Sequence, residues 1–462
     1  MSQDLTHYKK ANKFNEIDNA VRNNIPVTAN HEFYTDFSDV RGDFEERVLY
    51  RALNVSTQDY SFDWEANQTN KSLLFLGGMR GSGKTSELAK IAAKLNHPEA
   101  FFCVTCNLDD TENGLDLNDM EYMDILIFQL ERLFEEIHGV DHKLNTAIDI
   151  EVIESLQKWF EERVKEVNDS VKGEVGMEIE IGGGGTGAFM QLLGLATKLK
   201  TNIIGNKENA QKIRKVFKNN FREFALKFNE FIEQTNFTLR RNEIAKEILF
   251  IVDGLEKVST PSIRRKIVDE EGPRFSQINV NTIFTLPIEL LSLEPKLEAF
   301  STVRSFPFVK LQEKDGSIIE KAMQRFLYFV YERIDKSLFD NEETVREAIL
   351  KGGGSPRQLL HILEYAFMHA DEQKAVIDRE ALDKGIQKLA AANSRFLTEK
   401  DIERLKQLKE NNKLDIPTLY GEEWQDLYER LIVFEYNDGT YKKVNPIIEV
   451  SKIYQYYVEQ LS

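Results

Sequence analysis

The stretch Leu73-Leu74-Phe75-Leu76-Gly77-Gly78-Met79-Arg80-Gly81-Ser82-Gly83-Lys84-Thr85-Ser86, followed by ELAKIAAKL to residue 95, decides the reading of this chain. Four apolar residues predict a buried strand, the glycines a turn, and the run to Leu95 an amphipathic helix. Residues 78–85 satisfy G-x-x-x-x-G-K-[ST] in the strand, turn and helix context that gives the pattern its physical meaning. Such glycines let the backbone curl until successive amides and a helix N-terminus face an anion. The candidate phosphate contacts are Gly78, Arg80, Gly81, Ser82, Gly83, Lys84, Thr85 and Ser86. Lys84 bridges the β and γ phosphates in this reading, and the Thr85 hydroxyl sits on Mg2+.

A site of this kind needs a second carboxylate for the metal, from the end of a neighbouring apolar strand. Asp253 closes Leu249-Phe250-Ile251-Val252-Asp253 and fits that need. Glu256 lies three residues further on, past Gly254, where it serves either as the base that polarises water or as a solvated helix-start acid. Asp253 stands 168 residues beyond Thr85, far more than one strand and helix require. Residues 143–245 therefore read as an insertion: a long charged helix, a Gly-rich hairpin with an apolar helix of about three turns over 175–200, and a second long helix.

Outside the insertion, AFFCVTCNL, EILFIVD, INVNTIFTL and VRSFPFVKL read as strands alternating with helices. The expected fold class is α/β, a P-loop NTPase core with a mostly parallel sheet and flanking helices. The expected divisions are an N-terminal helical segment at 1–30, the α/β core at 31–315, a helical lid at 316–395 and a winged-helix-like unit at 396–462, which ends in a hairpin around Asn437-Asp438-Gly439.

The 462 residues suffice for two or three domains, and 41% hydrophobic content supports real cores. A net charge of −17 argues against coating nucleic acid or anionic membrane by charge alone. No apolar run approaches the ~20 residues of a membrane span, and the polar N-terminus does not read as a signal peptide, so a soluble cytoplasmic protein is expected. Cys103 and Cys106 fall three apart in a predicted strand and so point to opposite faces, which favours buried structural thiols over a metal pair.

With these residues in place the chain resembles AAA+ ATPases, close in layout to the origin-recognition initiator and STAND branches, over roughly 30–140 and 246–462. The resemblance implies ATP with Mg2+, and a homo-oligomer that controls a protein effector, as in bacterial antiviral defence. It assigns water orientation to Thr285, a contact to the neighbouring subunit's γ-phosphate to Arg304 (with Arg264 and Arg265 as rivals), phosphate sensing by the lid to Arg357, and framing of the adenine to Val40-Arg41-Gly42. The acid after Asp253 is replaced by Gly254, which leaves open a scaffold that binds nucleotide without turnover. A winged helix also admits DNA reading, but residues 397–462 carry nine Lys and Arg against 13 Asp and Glu, so a unit that packs on the lid or docks a protein is favoured.

Overall fold

In a computed structural model, described for residues 8–22, 26–42, 44–69, 71–110, 114–140, 148–170, 187–258, 260–416, 421, 424–437 and 439–459, the chain is an α/β protein. Its centre is a parallel sheet of five strands: β1 (Leu73–Gly78), β2 (Phe101–Asn107), β3 (Glu247–Asp253), β4 (Asn281–Pro287) and β5 (Thr302–Ser305), in the order β2-β3-β4-β1-β5. β3 and β4 are buried along their whole lengths, as near-continuous apolar runs at the centre of a parallel sheet must be. β4 separates β1 from β3, and parallel register brings the C-terminal ends of all three to one edge.

Helices cover both faces. Helix Lys84–Leu95 packs Leu88, Ile91 and Leu95 on one face, where half-buried Cys103 also lies. Cys106 belongs to the core on the other face, as the strand period predicted, and both thiols are free. That second core is formed by helix Tyr122–Val140 and by Ile150–Ser170, Ala188–Gly205, Lys207–Asn219 and Phe221–Arg241. The apolar helix expected over about three turns runs for 18 residues and is sandwiched between its neighbours. The second long helix is instead two, divided at Asn220, whose backbone leaves the helical region. The Gly-rich hairpin expected near 175–186 lies outside the described residues.

Residues 320–394 form the helices Glu320–Tyr331, Glu342–Gly352, Pro356–His369 and Arg379–Ser394, and share a core with the N-terminal segment. The helical reading of residues 1–30 is corrected here: the described part holds only the short turns Phe14–Glu16 and Ile17–Ala20. Burial decides this, because Tyr8, Ala11, Ile17, Val21 and Val27 insert into the four-helix core and a continuous helix could not follow that surface. The C-terminal residues form helix Glu399–Leu414, short helices, and an antiparallel pair, β6 (Val433–Tyr436) and β7 (Tyr441–Val444). No described helix is long and apolar enough to cross a membrane.

The inserted helices are pinned to the sheet layer by charge as well as by phenylalanines. Arg214, buried, donates to Asp124 at 2.6 Å and to Asp119 at 2.9 Å. Burial pushes Asp124 up to about 6 even though Arg214 opposes the shift. Arg214→Met leaves that acid buried without its cation and is expected to cost about 3–5 kcal/mol in urea unfolding. Adding Asp124→Asn should recover part of the loss, and a change below about 1 kcal/mol for the single variant would contradict this role for the pair.

Candidate functional site at the strand ends

The site begins where β1 stops. Gly81 and Gly83 adopt φ of +85° and +96°, which L side chains rarely take, and Gly83 becomes the N-cap of helix Lys84–Leu95. The first intrahelical bond runs from the Glu87 amide to the Gly83 carbonyl at 3.1 Å, so the amides of residues 84–86 have no intrahelical acceptor. The buried Lys84 ammonium donates to the carbonyls of Gly78 at 2.9 Å and Met79 at 3.1 Å, with Glu256 at 3.9 Å. Ser82 is fully buried and its hydroxyl has no partner among the described residues, Ser86 lines the cleft beside it, and Arg80 is exposed.

The structure brings the predicted carboxylates to this turn. The Thr85 hydroxyl donates to Asp253 Oδ2 at 2.6 Å, while Asp253 Oδ1 is buried without a partner among the described residues. Burial and then the neighbouring Glu256 push Asp253 up. Glu256 sits on the one-turn helix after Gly254, whose φ of +107° turns the chain back toward β1. Thr285, at the end of β4 and fully buried, donates its hydroxyl to Glu256 at 3.0 Å and accepts from the Gly254 amide at 3.0 Å. Burial opposes ionisation of Glu256, but Lys84, then its own backbone amide, Lys257 and the Thr285 bond together more than offset it and hold the carboxyl below its ordinary value.

Arg357 approaches from the helical unit. Ser355 caps its helix, accepting from the Gln358 amide and donating to the Gly81 carbonyl at 3.3 Å. A Cβ on Gly81 would stand 3.0 Å from that of Arg357, which makes no hydrogen bond or ion pair among the described residues. Burial and then Arg80 lower its pKa. Arg41 is buried with its guanidinium 3.9 Å from the Phe306 ring and donates to the Pro307 carbonyl at 2.8 Å; burial takes it down to about 10. Both arginines line one cleft with Lys84, Thr85 and Glu256.

Arg304 is not part of this cleft. It lies opposite Leu76 on β5 and donates to the Val303 carbonyl at 2.7 Å. Of its rivals, Arg264 is buried in ion pairs with Glu289 at 2.7 Å and with Glu429, and Arg265 stands 3.8 Å from Asp269.

Several participants escaped the sequence reading. Asn107 ends β2 in register with Asp253, with its side-chain oxygen buried and unpartnered. Lys257, a cleft residue, pairs with Asp109 at 2.6 Å. Tyr8, Phe33, Thr35 and Arg333 also line the cleft. Only the aromatic density of HEFYTDF hinted at this wall, since Arg333 reaches it by tertiary packing. β6 closes in from behind: the Glu435 amide donates to Met79 Sδ at 3.3 Å and the Tyr436 hydroxyl to the Gly353 carbonyl at 2.8 Å. Asn445 and Gln358 exchange reciprocal side-chain bonds at 2.8 and 2.9 Å.

No model of a known protein family matches the chain, and no curated protein matches it. What the geometry gives is a turn of amides without intrahelical acceptors and a buried ammonium, beside a carboxylate whose Oδ1 has no partner among the described residues.

A buried charge cluster supports the helix behind the turn, where Lys90 contacts Asp36 at 3.1 Å, Glu46 at 2.9 Å and Glu87 at 3.0 Å. Burial raises Asp36, but bonds from Ser38 and Lys90 outweigh it and hold the carboxyl at about 2 against an ordinary 3.8. A depressed carboxylate stabilises the fold above its unfolded pKa and loses that contribution as pH falls through the folded one. Asp36→Asn is therefore expected to lower Tm at neutral pH and to narrow its gap from wild type between pH 3.8 and about 2. A gap that widens on acidification would contradict this.

Proposed function

We propose that the chain is an ATP-binding and ATP-hydrolysing ATPase of the AAA+/STAND kind, which assembles from several copies and controls a protein partner. The single observation that carries the reading is the Thr85–Asp253 contact at 2.6 Å, joining two motif residues 168 apart. The residues suit the ligands. Free amides at 84–86, the Ser82 hydroxyl and Lys84 suit a triphosphate, and the unfilled Asp253 Oδ1 beside Thr85 suits Mg2+. When bound, the metal neutralises phosphate charge.

In this reading Lys84 exchanges part of its carbonyl contacts for phosphate oxygens. Glu256, kept ionised by Lys84 and aimed by Thr285, accepts a proton from the attacking water. The water oxygen bonds to the γ-phosphorus as the bond to the bridging oxygen breaks, leaving ADP and phosphate. Arg357, next to Gly81 and without a counter-ion bond of its own, stabilises the transferring group. Arg304 keeps a role only across a subunit boundary, since it does not line its own cleft.

The C-terminal winged-helix-like unit is read as packing on the ATPase and relaying its state to a partner, for which an effector of bacterial antiphage defence is the proposed class. Its contacts to Met79, Gly353 and Gln358 support that reading over DNA binding, as does its acidic balance.

Lys84→Ala is expected to abolish nucleotide binding in calorimetry, and Asp253→Ala to abolish Mg2+-dependent turnover while the fold persists. Full ATPase activity in either variant excludes this site. Glu256→Gln should slow hydrolysis by roughly 10²–10⁴-fold with ATP still bound. An unaltered rate clears Glu256 of the base role.

A further inference from the structure

A second cavity lies at the edge of the sheet opposite the glycine turn, where the strands begin, and so stands apart from the nucleotide reading. Leu73 at the start of β1 and Thr282 at the start of β4 are register partners that line it, and Phe284, two residues along β4, shares a sheet face with Thr282. The segment 275–280 that leads into β4 and residues 299–300 that lead into β5 form further walls, and helix Tyr122–Val140 contributes Tyr122 and Gln129. The cavity measures about 490 Å3, within the range of small-molecule sites, and exposed Ser276 and Asn279 mark its mouth.

Much of the wall is aromatic. Tyr122 and Phe275 stack at 3.9 Å with their planes 22° apart, and Phe275 meets Phe284 edge to face at 5.1 Å. Two polar groups set into this wall have no hydrogen bond among the described residues. Gln129 is 2% exposed and its side-chain amide makes none. Tyr122 is also 2% exposed and its hydroxyl makes none, while burial raises its pKa and keeps it protonated. Seven residues apart on one helix, the two share a face. The other buried polar groups here are satisfied: the Thr282 hydroxyl donates to the Val280 carbonyl at 3.3 Å, and Lys71, the one charged residue among the described lining, pairs with Glu247 at 2.5 Å.

Leaving an amide and a phenol unbonded in the interior is costly, and such groups mark a place where something outside the chain supplies their partners. Water supplies bonds but gains nothing from rings, whereas a flat ring with a polar edge gains from both. The glutamine amide sets an N–H donor beside a carbonyl acceptor, so its complement is an acceptor beside a donor. Adenine presents that pair at N7 and N6, and a lactam ring presents it at its C=O and N–H. The hydroxyl adds one bond of either sense. Because Glu247 already neutralises Lys71, the cavity suits an uncharged ligand. We infer that it binds a neutral nitrogen heterocycle of the nucleobase type, with Gln129 paired to the donor–acceptor edge and the Tyr122 hydroxyl bonded beside it.

The test is ligand-observed NMR titration of the full chain with adenine, hypoxanthine, cytosine and uracil, for wild type, Gln129→Leu and Tyr122→Phe, with Tm measured for each. Toluene, a ring without a polar edge, and acetamide, the edge without a ring, are the controls. Wild type should bind at least one of the four bases with a Kd below about 1 mM, and roughly tenfold or more tightly than either control. Gln129→Leu should weaken that base by roughly tenfold or more and Tyr122→Phe by a smaller factor, with toluene unaffected. No base bound below about 1 mM overturns the inference, as does toluene bound as tightly as the bases or a base affinity unchanged in the folded variants. If Gln129→Leu does not fold, Tyr122→Phe, which removes only the hydroxyl oxygen, decides alone.

Discussion

A hydroxyl on the first turn of one helix donating to a carboxylate at the end of the next strand but one is the constraint on which the rest of this structure turns. Thr85 and Asp253 meet only because β4 lies between β1 and β3 and all three end at one edge. Everything else at the site is measured from that contact. Gly254 turns Glu256 back under Lys84, Thr285 at the tip of β4 holds Glu256, and Gly81 admits Arg357. The contact costs an unfilled, buried carboxylate oxygen and a carboxyl whose pKa is raised, the kind of local disadvantage that functional sites carry.

The helical stretch between helix Tyr122–Val140 and β3 leaves this geometry intact because of where it enters. It leaves the layer after helix Tyr122–Val140 and returns through Phe221–Arg241 directly into β3, so it thickens one face of the sheet while the edge that carries the site is untouched. Its interior is aromatic, with Phe160, Phe217, Phe224, Phe228 and Phe231 fully buried, and its charges are paired to the sheet-layer helix through Arg214 and Lys200. The N-terminal segment and the C-terminal hairpin act differently. The first joins the helical unit that forms one cleft wall, and the second touches Met79 of the glycine turn and Gly353 between the second and third helices of that unit. The glycine turn and the helical unit beside it are therefore each in direct contact with the C-terminal hairpin.

Much of the core was legible in sequence because its signals are local. The glycine turn and the apolar run ending in Asp253 each combine residue type with an adjacent element, and the structure joins them through the Thr85–Asp253 bond. Thr285 came from the resemblance alone, and in the structure its hydroxyl donates to Glu256 at the end of β4. What was not legible depends on packing between segments far apart in the chain. Residues 1–30 read as helical, but their described part follows the surface it buries, and Ala11 pairs beside Arg333, which lines the cleft. Arg304 shows the limit from the other side, since a plausible arginine on the right strand is directed away from its own cleft.

The most direct measurement is a crystal structure with a slowly hydrolysed ATP analogue and Mn2+ in place of Mg2+, the metal being located by its anomalous scattering. The account predicts manganese bonded to the Thr85 hydroxyl and next to Asp253, at the expense of their mutual hydrogen bond, with the triphosphate on the amides of residues 81–86. A metal bound away from residue 253, or a glycine turn left empty while nucleotide binds elsewhere, would contradict it.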